Sequence, residues 1–379
     1  METGLAASLA ASLPEPLLLT LRRLVLPCQI FLWYSMYLAF NLVSKEVLNV
    51  LPAPFMLHSV FNLTAVVCSV GTLVAVEMSR AASAKGRLTA SLPDLRLREI
   101  FSRDVGRSWR QGVAQAFTHS SSLAAIGGAS LCYAHTAKAS EPFFAALIAT
   151  FIFGKKLSWR VWVSLVPIVG GVAYSSLGRT ASGAVGFSLD ASVAYALAAS
   201  IVCACSLAFH NASIKGSLKA GPEESPVAGS PLRVYARVLV RAAPVALALT
   251  LAFEGGLWAS GGGGAAVAQA AAAMGGHAQL ATQVALGGLS FYLYNQMALI
   301  CLDSLTPLSS SVGNVLKRVF VVGSNVLLMG GAVTNQQLTG FGIAMIGVLF
   351  YSLASKMQAS AESAGPTESP PPKAQLSAA

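Results

Sequence analysis

Apolar residues occur in long, nearly uninterrupted runs along this chain, and polar residues are concentrated between the runs. A helix that crosses about 30 Å of hydrocarbon needs roughly 20 mostly apolar residues. The pattern therefore predicts an all-α polytopic membrane protein with about ten transmembrane helices. They are expected at 25–47, 55–79, 110–133, 135–154, 157–178, 188–213, 233–255, 279–302, 307–331 and 337–356.

The residues outside these runs form terminal segments and loops. Residues 1–24 are an N-terminal segment, and residues 81–109 make the longest charged connection. Residues 256–277 are a low-complexity stretch of Gly and Ala, and residues 358–379 are rich in Ser, Pro and Ala. Such compositions bury little apolar surface. We expect the two loops to lack a packed core and the C-terminal tail to be disordered.

A weak internal repeat relates the two parts of the chain. One constant offset aligns Gly154 with Gly330 and Gly171 with Gly347, and so relates the fourth and fifth spans to the ninth and tenth. Because five is an odd number, two halves of five spans have opposite orientations, an arrangement found in many transporters. We predict two inverted five-helix halves, at 25–178 and 188–357.

Composition supports this class of protein. Of the 379 residues, 55% are hydrophobic and 11% are charged, whereas soluble domains carry about 25% charged residues. The 34 glycines suit close packing of transmembrane helices. The cysteines have neither CxxC pairs nor Cys/His ligand spacing, so we expect no disulfide framework and no metal site.

The formal net charge of +10 is explained by membrane orientation. Lys and Arg accumulate in alternate connections, and Arg179 is the exception on the opposite side. This distribution predicts an even number of spans with both termini on the basic side. A nucleic-acid partner would need a hydrated basic face, so we expect none; the partners are the lipid bilayer and a small molecule.

Charged and polar residues inside a span are candidates for function, because an ionised group at mid-bilayer costs about 3 kcal/mol or more. Two weaker members of this set are His58 and His210. The main members are Lys45, His119, Lys138, Glu141, Lys317 and Arg318.

Lys317 and Arg318 lie well inside the ninth span. Adjacent residues on a helix point about 100° apart, so the pair can hold one multivalent anion from two directions. Phosphate suits this arrangement, because Arg offers a planar fork of donors and Lys a compact charge. The alternative is that both side chains reach the membrane interface.

Lys138 lies one turn before Glu141 in the fourth span. One interpretation is an intrahelical ion pair that allows both to be buried. The other is functional, with Glu141 orienting Lys138 and balancing charge in an empty pocket. Pro142 is expected to disturb the helix and free backbone groups that can line a cavity.

Three further polar residues are candidates for substrate contact. His119 and Ser122 share one face of the third span, although such residues often serve only helix contacts. Tyr294 stands beside Asn295 in a polar cluster within the eighth span. Lys45, near the end of the first span, is a residue for snorkelling or for a secondary, gating role.

Nothing in the sequence predicts an enzyme or a cofactor. Intramembrane catalysis requires clustered carboxylates, metal ligands or an activated nucleophile, and Glu141 is the one acidic residue deep in a predicted span. Motifs for nucleotide binding or metalloprotease chemistry are also missing.

Two motifs resemble those of the plastid phosphate translocators, within the drug/metabolite transporter superfamily. The first is YNQMALICLDSLTPLSSSVGNVLKRVFVV, and the second is HTAKASEPFFAALIATFIFG. Asn41 and Lys45 of the first span are also similar to the family pattern. The resemblance implies substrate contacts from Lys317 with Arg318, and also from Lys138, Tyr294, His119 and Ser122.

The resemblance, with the intramembrane cations, leads to a functional prediction. We expect an antiporter that exchanges inorganic phosphate for a phosphorylated C3, C5 or C6 metabolite: triose phosphate, 3-phosphoglycerate, phosphoenolpyruvate or a sugar phosphate. The plastid envelope is the expected membrane. The alternative is a nucleotide-sugar or nucleoside-monophosphate antiporter of the Golgi or other endomembranes. The oligomeric state is left open, and a monomer is compatible with the sequence.

Overall fold

The fold is taken from a computed structural model, which describes residues 15–85, 107–152, 154–176, 178–179, 185–186, 191–219, 230–305, 307–329 and 334–363. Over these ranges the chain is almost entirely helical. The helices are α1 (Glu15–Val50), α2 (Pro54–Lys85), α3 (Arg107–Gly128), α4 (Leu131–Lys138), α5 (Glu141–Phe151), α6 (Trp159–Ser176), α7 (Ala191–Lys219), α8 (Pro231–Ala259), α9 (Gly262–Ala273), α10 (His277–Ser304), α11 (Pro307–Met329) and α12 (Asn335–Ser363).

Two short strands lie between α6 and α7. They are β1 (Gly178–Arg179) and β2 (Val185–Gly186), and they pair antiparallel with Gly178 opposite Gly186. This hairpin occupies the connection between the two predicted halves.

Among the described residues, six helices contain a segment long and apolar enough to cross a membrane, so the all-α polytopic class is correct. They are Leu24–Val50, Pro54–Ser79, Ala191–Ile214, Pro231–Ala259, His277–Ser304 and Asn335–Ala361. The other four predicted spans also coincide with helices. These are α3, which carries a polar stripe, the interrupted pair α4 and α5, the short α6, and α11, which contains Lys317 and Arg318.

The fourth predicted span is two helices. Ser130 caps α4 by accepting a hydrogen bond from the backbone N–H of Tyr133 at 3.2 Å. Helix α4 ends at Lys138, and α5 begins at Glu141 with Pro142 in its first turn. Pro suits the first turn because its missing N–H has no intrahelical partner there. The expected disturbance is therefore a break between two helices.

The prediction that residues 256–277 lack a packed core is wrong. Helix α8 extends to Ala259, and most of the remaining segment forms α9 (Gly262–Ala273). Ala270 and Ala271 are buried in the largest hydrophobic core. The sequence of α9 has little contrast between its faces, because Gly and Ala are small on every side, so its periodicity gives no signal.

The remaining boundaries differ modestly from the predictions. Helix α1 starts inside the predicted N-terminal segment, and residues 1–14 lie outside the described residues, as do residues 86–106 of the charged connection. Helix α12 ends at Ser363, inside the predicted tail, and residues 364–379 also lie outside the described part.

Three pairs of helices make extensive contacts: α3 with α7, α1 with α10, and α6 with α12. The third pair meets at its glycines. A Cβ atom on Gly171 would lie 2.5 Å from the carbonyl oxygen of Gly340, and one on Gly340 would lie 2.6 Å from that of Gly171. The two backbones therefore touch directly, as small residues allow in membranes.

Candidate functional site

Of the four intramembrane cations singled out in the sequence, Lys138 and Arg318 meet where α11 packs against the break between α4 and α5, and Lys317 precedes Arg318 in α11. Arg318 donates one hydrogen bond to the backbone carbonyl of Lys138 at 3.0 Å and another to the Glu141 carboxylate at 2.8 Å. Residues 139–140 interrupt the helical hydrogen-bond pattern between α4 and α5. A backbone carbonyl at the end of α4 can therefore accept a hydrogen bond from α11. The break thus creates the place where Arg318 binds.

Glu141 pairs with Arg318, and the intrahelical pair with Lys138 suggested by the sequence is not the one formed. The second oxygen of the carboxylate accepts a hydrogen bond from the Nδ2 atom of Asn211 in α7 at 2.8 Å. Because α4 ends at Lys138, the two residues are not on one continuous helix. Glu141 instead connects α5 with α7 and α11.

Lys138 is buried, with 4% of its surface exposed. Its ammonium group donates to the Ser122 hydroxyl of α3 at 2.7 Å. Cys203 of α7 is also buried next to this pair. The sequence predicted both Lys138 and Ser122 as substrate contacts, and the structure brings them together.

His119 and Tyr294 are also in contact. The Tyr294 hydroxyl lies 3.2 Å from Nδ1 of His119, and both residues are buried between α3 and α10. The edge of the Tyr37 ring packs on Tyr294, with ring centroids 5.0 Å apart. His119 of the third predicted span and Tyr294 of the eighth therefore form one connected group with Tyr37.

Lys317 lies against aromatic rings of α1. Its Nζ atom is 4.7 Å from the ring centroid of Trp33 and 4.5 Å from that of Tyr37. Both distances are within the range of cation–π attraction. Sequence reasoning missed these two aromatic residues, although their spacing of four places them on one face of α1 together with Asn41 and Lys45.

Lys45 lies at the far end of the same face. Its ammonium group donates to the carbonyls of Ile126 and Ala129, each at 2.9 Å, at the C-terminal end of α3. A cation suits this position, because the last carbonyls of a helix carry partial negative charge. The structure thus places Lys45 in a link between α1 and α3, apart from the contacts of the other three cations.

The two weaker histidine candidates make helix contacts. Nδ1 of His58 lies 2.8 Å from the Ser120 hydroxyl, and Nδ1 of His210 lies 3.4 Å from the Gln111 carbonyl. Sequence reasoning did not single out Arg237 and Arg241 of α8, which are buried with 7% and 9% exposure. Their signal was available, since both fall inside the predicted span 233–255.

The arrangement is suited to binding an anion. Lys138, Lys317 and Arg318 contribute three formal positive charges, and Glu141 contributes one negative charge. Their charges interact across the site. Hydroxyl, imidazole and phenol groups lie beside the cations, and these can orient a polar organic group. Chemically, the cluster can hold a multiply charged anion and its attached polar group.

The family model for the triose-phosphate transporters matches residues 24–352, which include every residue of this cluster. The chain belongs to the triose-phosphate transporter family. This membership confirms the resemblance seen in the two sequence motifs, and it places the protein among transporters rather than enzymes.

Several members of the triose-phosphate transporter family align along most of the chain. The triose phosphate/phosphate translocator of Zea mays chloroplasts is 29% identical over 85% of this chain and 69% of its own length. The corresponding protein of Pisum sativum is 28% identical over 85% of this chain and 70% of its own. The chloroplastic glucose-6-phosphate/phosphate translocator 1 of Arabidopsis thaliana is 27% identical over 85% and 73%.

Proposed function

We propose that this protein is an antiporter that exchanges inorganic phosphate for a phosphorylated three-, five- or six-carbon metabolite. The observation that carries the proposal is the meeting of Lys138, Lys317 and Arg318 at one site with a single carboxylate, Glu141. Family relatives named as phosphate translocators for triose phosphate and glucose 6-phosphate support the same class of substrate.

The charges of this cluster explain why exchange would be obligatory. Three cations and one carboxylate give the empty site a formal charge of +2, which a phosphate dianion cancels. Enclosing uncompensated charge in a dry pocket costs several kcal/mol per ion. The loaded carrier can therefore pass through a closed intermediate that the empty carrier avoids.

We assign roles from the contacts of each side chain. Arg318 and Lys317 bind the phosphate group, the first with its planar donors and the second as a compact charge. Lys138, oriented by Ser122, completes the phosphate site. His119 and Tyr294 bind the carbon part of the substrate through polar groups, and Glu141 balances charge in the empty site.

The proposed architecture is ten transmembrane helices in two inverted halves, with α4 and α5 together forming one of the ten. Gly171 would place a Cβ 2.6 Å from the backbone nitrogen of Ala344, and Gly347 would place one 2.8 Å from that of Ile168. The offset that relates Gly171 to Gly347 also relates Ile168 to Ala344. The contact of Gly171 with Ala344 is therefore repeated by Gly347 and Ile168, which are the equivalent residues of the other half. This repetition supports a two-fold repeat with that offset.

Other features are consistent with this repeat. The extensive contact of α3 with α7 has a counterpart in that of α10 with α1, if α7 and α10 correspond to α1 and α3. The same offset relates Glu141 to Lys317. The two halves would therefore contribute opposite charges from equivalent positions. Rocking of the halves around the site gives alternating access, with Lys45 closing one end between α1 and α3.

We place the protein in the plastid envelope, because the relatives with the same pattern are named chloroplastic. The substrates and the membrane are tested separately. Purified protein in liposomes takes up labelled phosphate, with vesicles preloaded in parallel with phosphate, triose phosphate, 3-phosphoglycerate, phosphoenolpyruvate, glucose 6-phosphate, a nucleoside monophosphate or buffer. A fluorescent fusion in plant cells then reports the membrane.

Uptake only into vesicles preloaded with phosphate or an organic phosphate is the expected result, and the rates rank the substrates. Equal uptake into empty vesicles contradicts obligatory exchange. No phosphate uptake under any preload, together with uptake of a labelled nucleotide sugar into vesicles preloaded with a nucleoside monophosphate, identifies the endomembrane class of transporter instead. Lys356 is an exposed cation near the end of α12 and outside the site, so Lys356→Ala is expected to exchange phosphate like the unaltered protein and serves as the control for variants of the site cations.

A further inference from the structure

Helix α1 carries a row of side chains that begins beside the cation cluster and ends at α3. Trp33, Tyr37, Asn41 and Lys45 follow one another at intervals of four residues, which places them along one face. Trp33 and Asn41 are buried, and the other two are partly buried. This row provides the contacts of α1 with Lys317, with α4 and with the end of α3.

The first two members of the row enclose the Lys317 ammonium. Its Nζ atom lies 4.7 Å from the Trp33 centroid and 4.5 Å from the Tyr37 centroid. A cation is attracted to the electron-rich face of an aromatic ring, and the attraction increases when water is excluded. The rings thus provide the Lys317 ammonium with two partners inside the protein.

Neighbouring contacts hold these rings in place. The hydroxyl of Tyr34 donates to the Gly313 carbonyl at 2.5 Å, which fixes α1 against the turn of α11 before Lys317. Asn41 donates to the Tyr37 carbonyl at 2.6 Å, and its Oδ1 atom lies 3.2 Å from Nε2 of His135 in α4. Hydrogen bonds within α1 and between α1 and the neighbouring helices therefore hold the Trp33 and Tyr37 region of α1 in place.

We propose that Trp33 and Tyr37 form a cage that competes with phosphate for the Lys317 ammonium, so that phosphate must take this ammonium from the cage. The proposal rests on the phosphate-binding role given above to Lys317. Trp33 and Tyr37 are positioning residues, because they act through Lys317. Their contribution favours the empty state and so weakens phosphate binding.

The direction of this effect separates the cage from an ordinary packing role. Loss of packing around a binding site loosens the site and weakens binding. Loss of a competitor for Lys317 instead strengthens binding. We expect Trp33→Leu to lower the Kd for phosphate by about threefold to thirtyfold, the range of factors that corresponds to one cation–π contact between an exposed and a desolvated site.

The experiment measures the Kd of purified protein for inorganic phosphate by calorimetry. Trp33→Phe retains a weaker ring and is expected to give a Kd between those of the unaltered protein and Trp33→Leu. Tyr37→Leu provides a second route to the same test if Trp33→Leu does not fold. Phe31→Leu is the matched control, because Phe31 is an aromatic residue of α1 that is 70% exposed and away from the cage.

Tryptophan fluorescence provides a second readout. Phosphate is expected to change the emission of the unaltered protein when Lys317 leaves Trp33. Because the chain has five tryptophans, Trp33→Phe is expected to remove the share of this change that comes from Trp33 and so to make it smaller. Weaker or unchanged phosphate binding in Trp33→Leu and Tyr37→Leu overturns the cage, as does an emission change of undiminished size in Trp33→Phe. No phosphate binding by the unaltered protein overturns the proposed function instead.

Discussion

The guanidinium group of Arg318 lies 2.8 Å from the carboxylate of Glu141, although the two residues are far apart in the chain. The same guanidinium donates to the backbone carbonyl of Lys138. One side chain of α11 therefore connects the end of α4 with the start of α5. Substitutions of the α11 cations test anion binding, and substitutions of Glu141 test charge balance.

Loss of either cation of α11 is expected to abolish exchange. Lys317→Ala or Arg318→Ala should reduce phosphate exchange by about thirtyfold or more, because removing one partner of a buried charge contact costs about 2–5 kcal/mol. The measurement is labelled phosphate uptake into preloaded liposomes. Size-exclusion chromatography in detergent verifies folding, and flotation of the liposomes verifies insertion. Normal exchange in either variant contradicts the phosphate site, and Lys356→Ala controls for loss of a cation elsewhere.

Removal of the Glu141 charge is expected to tighten phosphate binding and slow release. Glu141→Gln raises the formal charge of the site by one, so both the KM for phosphate and the maximal exchange rate should fall, the KM by about tenfold, or about 1.4 kcal/mol. Glu141→Asp retains the charge and is the control. An unchanged KM in Glu141→Gln would mean that the carboxylate only connects helices.

The Ser122 hydroxyl is expected to orient Lys138 rather than to be essential. Ser122→Ala removes a buried hydrogen bond to a charged group, which is worth about 1.5–3 kcal/mol. We expect a KM for phosphate raised by about tenfold and an almost normal maximal rate. Ser122→Thr retains the hydroxyl and should restore the KM, and failure of this rescue contradicts the orienting role.

Lys45 is expected to affect movement more than binding. Lys45→Met removes the donor to the carbonyls of Ile126 and Ala129, and these carbonyls belong to the end of α3. The maximal exchange rate should change, while the Kd for phosphate stays within about twofold. A loss of affinity as large as that of Lys317→Ala would place Lys45 in the binding site.

The contact between α6 and α12 is expected to tolerate no side chain. Gly171→Ala would force a Cβ to within 2.5 Å of the Gly340 carbonyl oxygen, and overpacking of this kind costs about 1–3 kcal/mol. Thermal unfolding in detergent should show the loss. Gly170→Ala is the matched control, since a Cβ there meets nothing within 4 Å; equal unfolding temperatures for the two variants contradict the prediction.

Much of the fold could be predicted because long apolar runs have few alternatives in a bilayer. Each of the ten predicted runs coincides with a helix or, at Lys138 and Glu141, with two helices separated by a break. Helix α9 could not be predicted in the same way. Its Gly and Ala residues give no contrast between faces, and its burial depends on helices distant in the sequence.

The candidate site was only partly predictable. Charge inside a span identified Lys138, Lys317 and Arg318, because ionised groups are costly there. The partner of Glu141 could not be deduced, since Lys138 is nearer in sequence and Arg318 comes from a different helix. The roles of Trp33 and Tyr37 were hidden for another reason: aromatic residues are common in spans and carry no charge.

The backbone contact between Gly171 and Gly340 has a mechanical consequence. Two helices that touch without intervening side chains have little room to slide past each other, whereas they can turn about the point of contact. In the proposed architecture these helices are the last of each half, so their crossing would be a fulcrum. The size of the residue at position 171 or 340, which is remote from the substrate contacts named above, would then control how far the two halves rotate against each other.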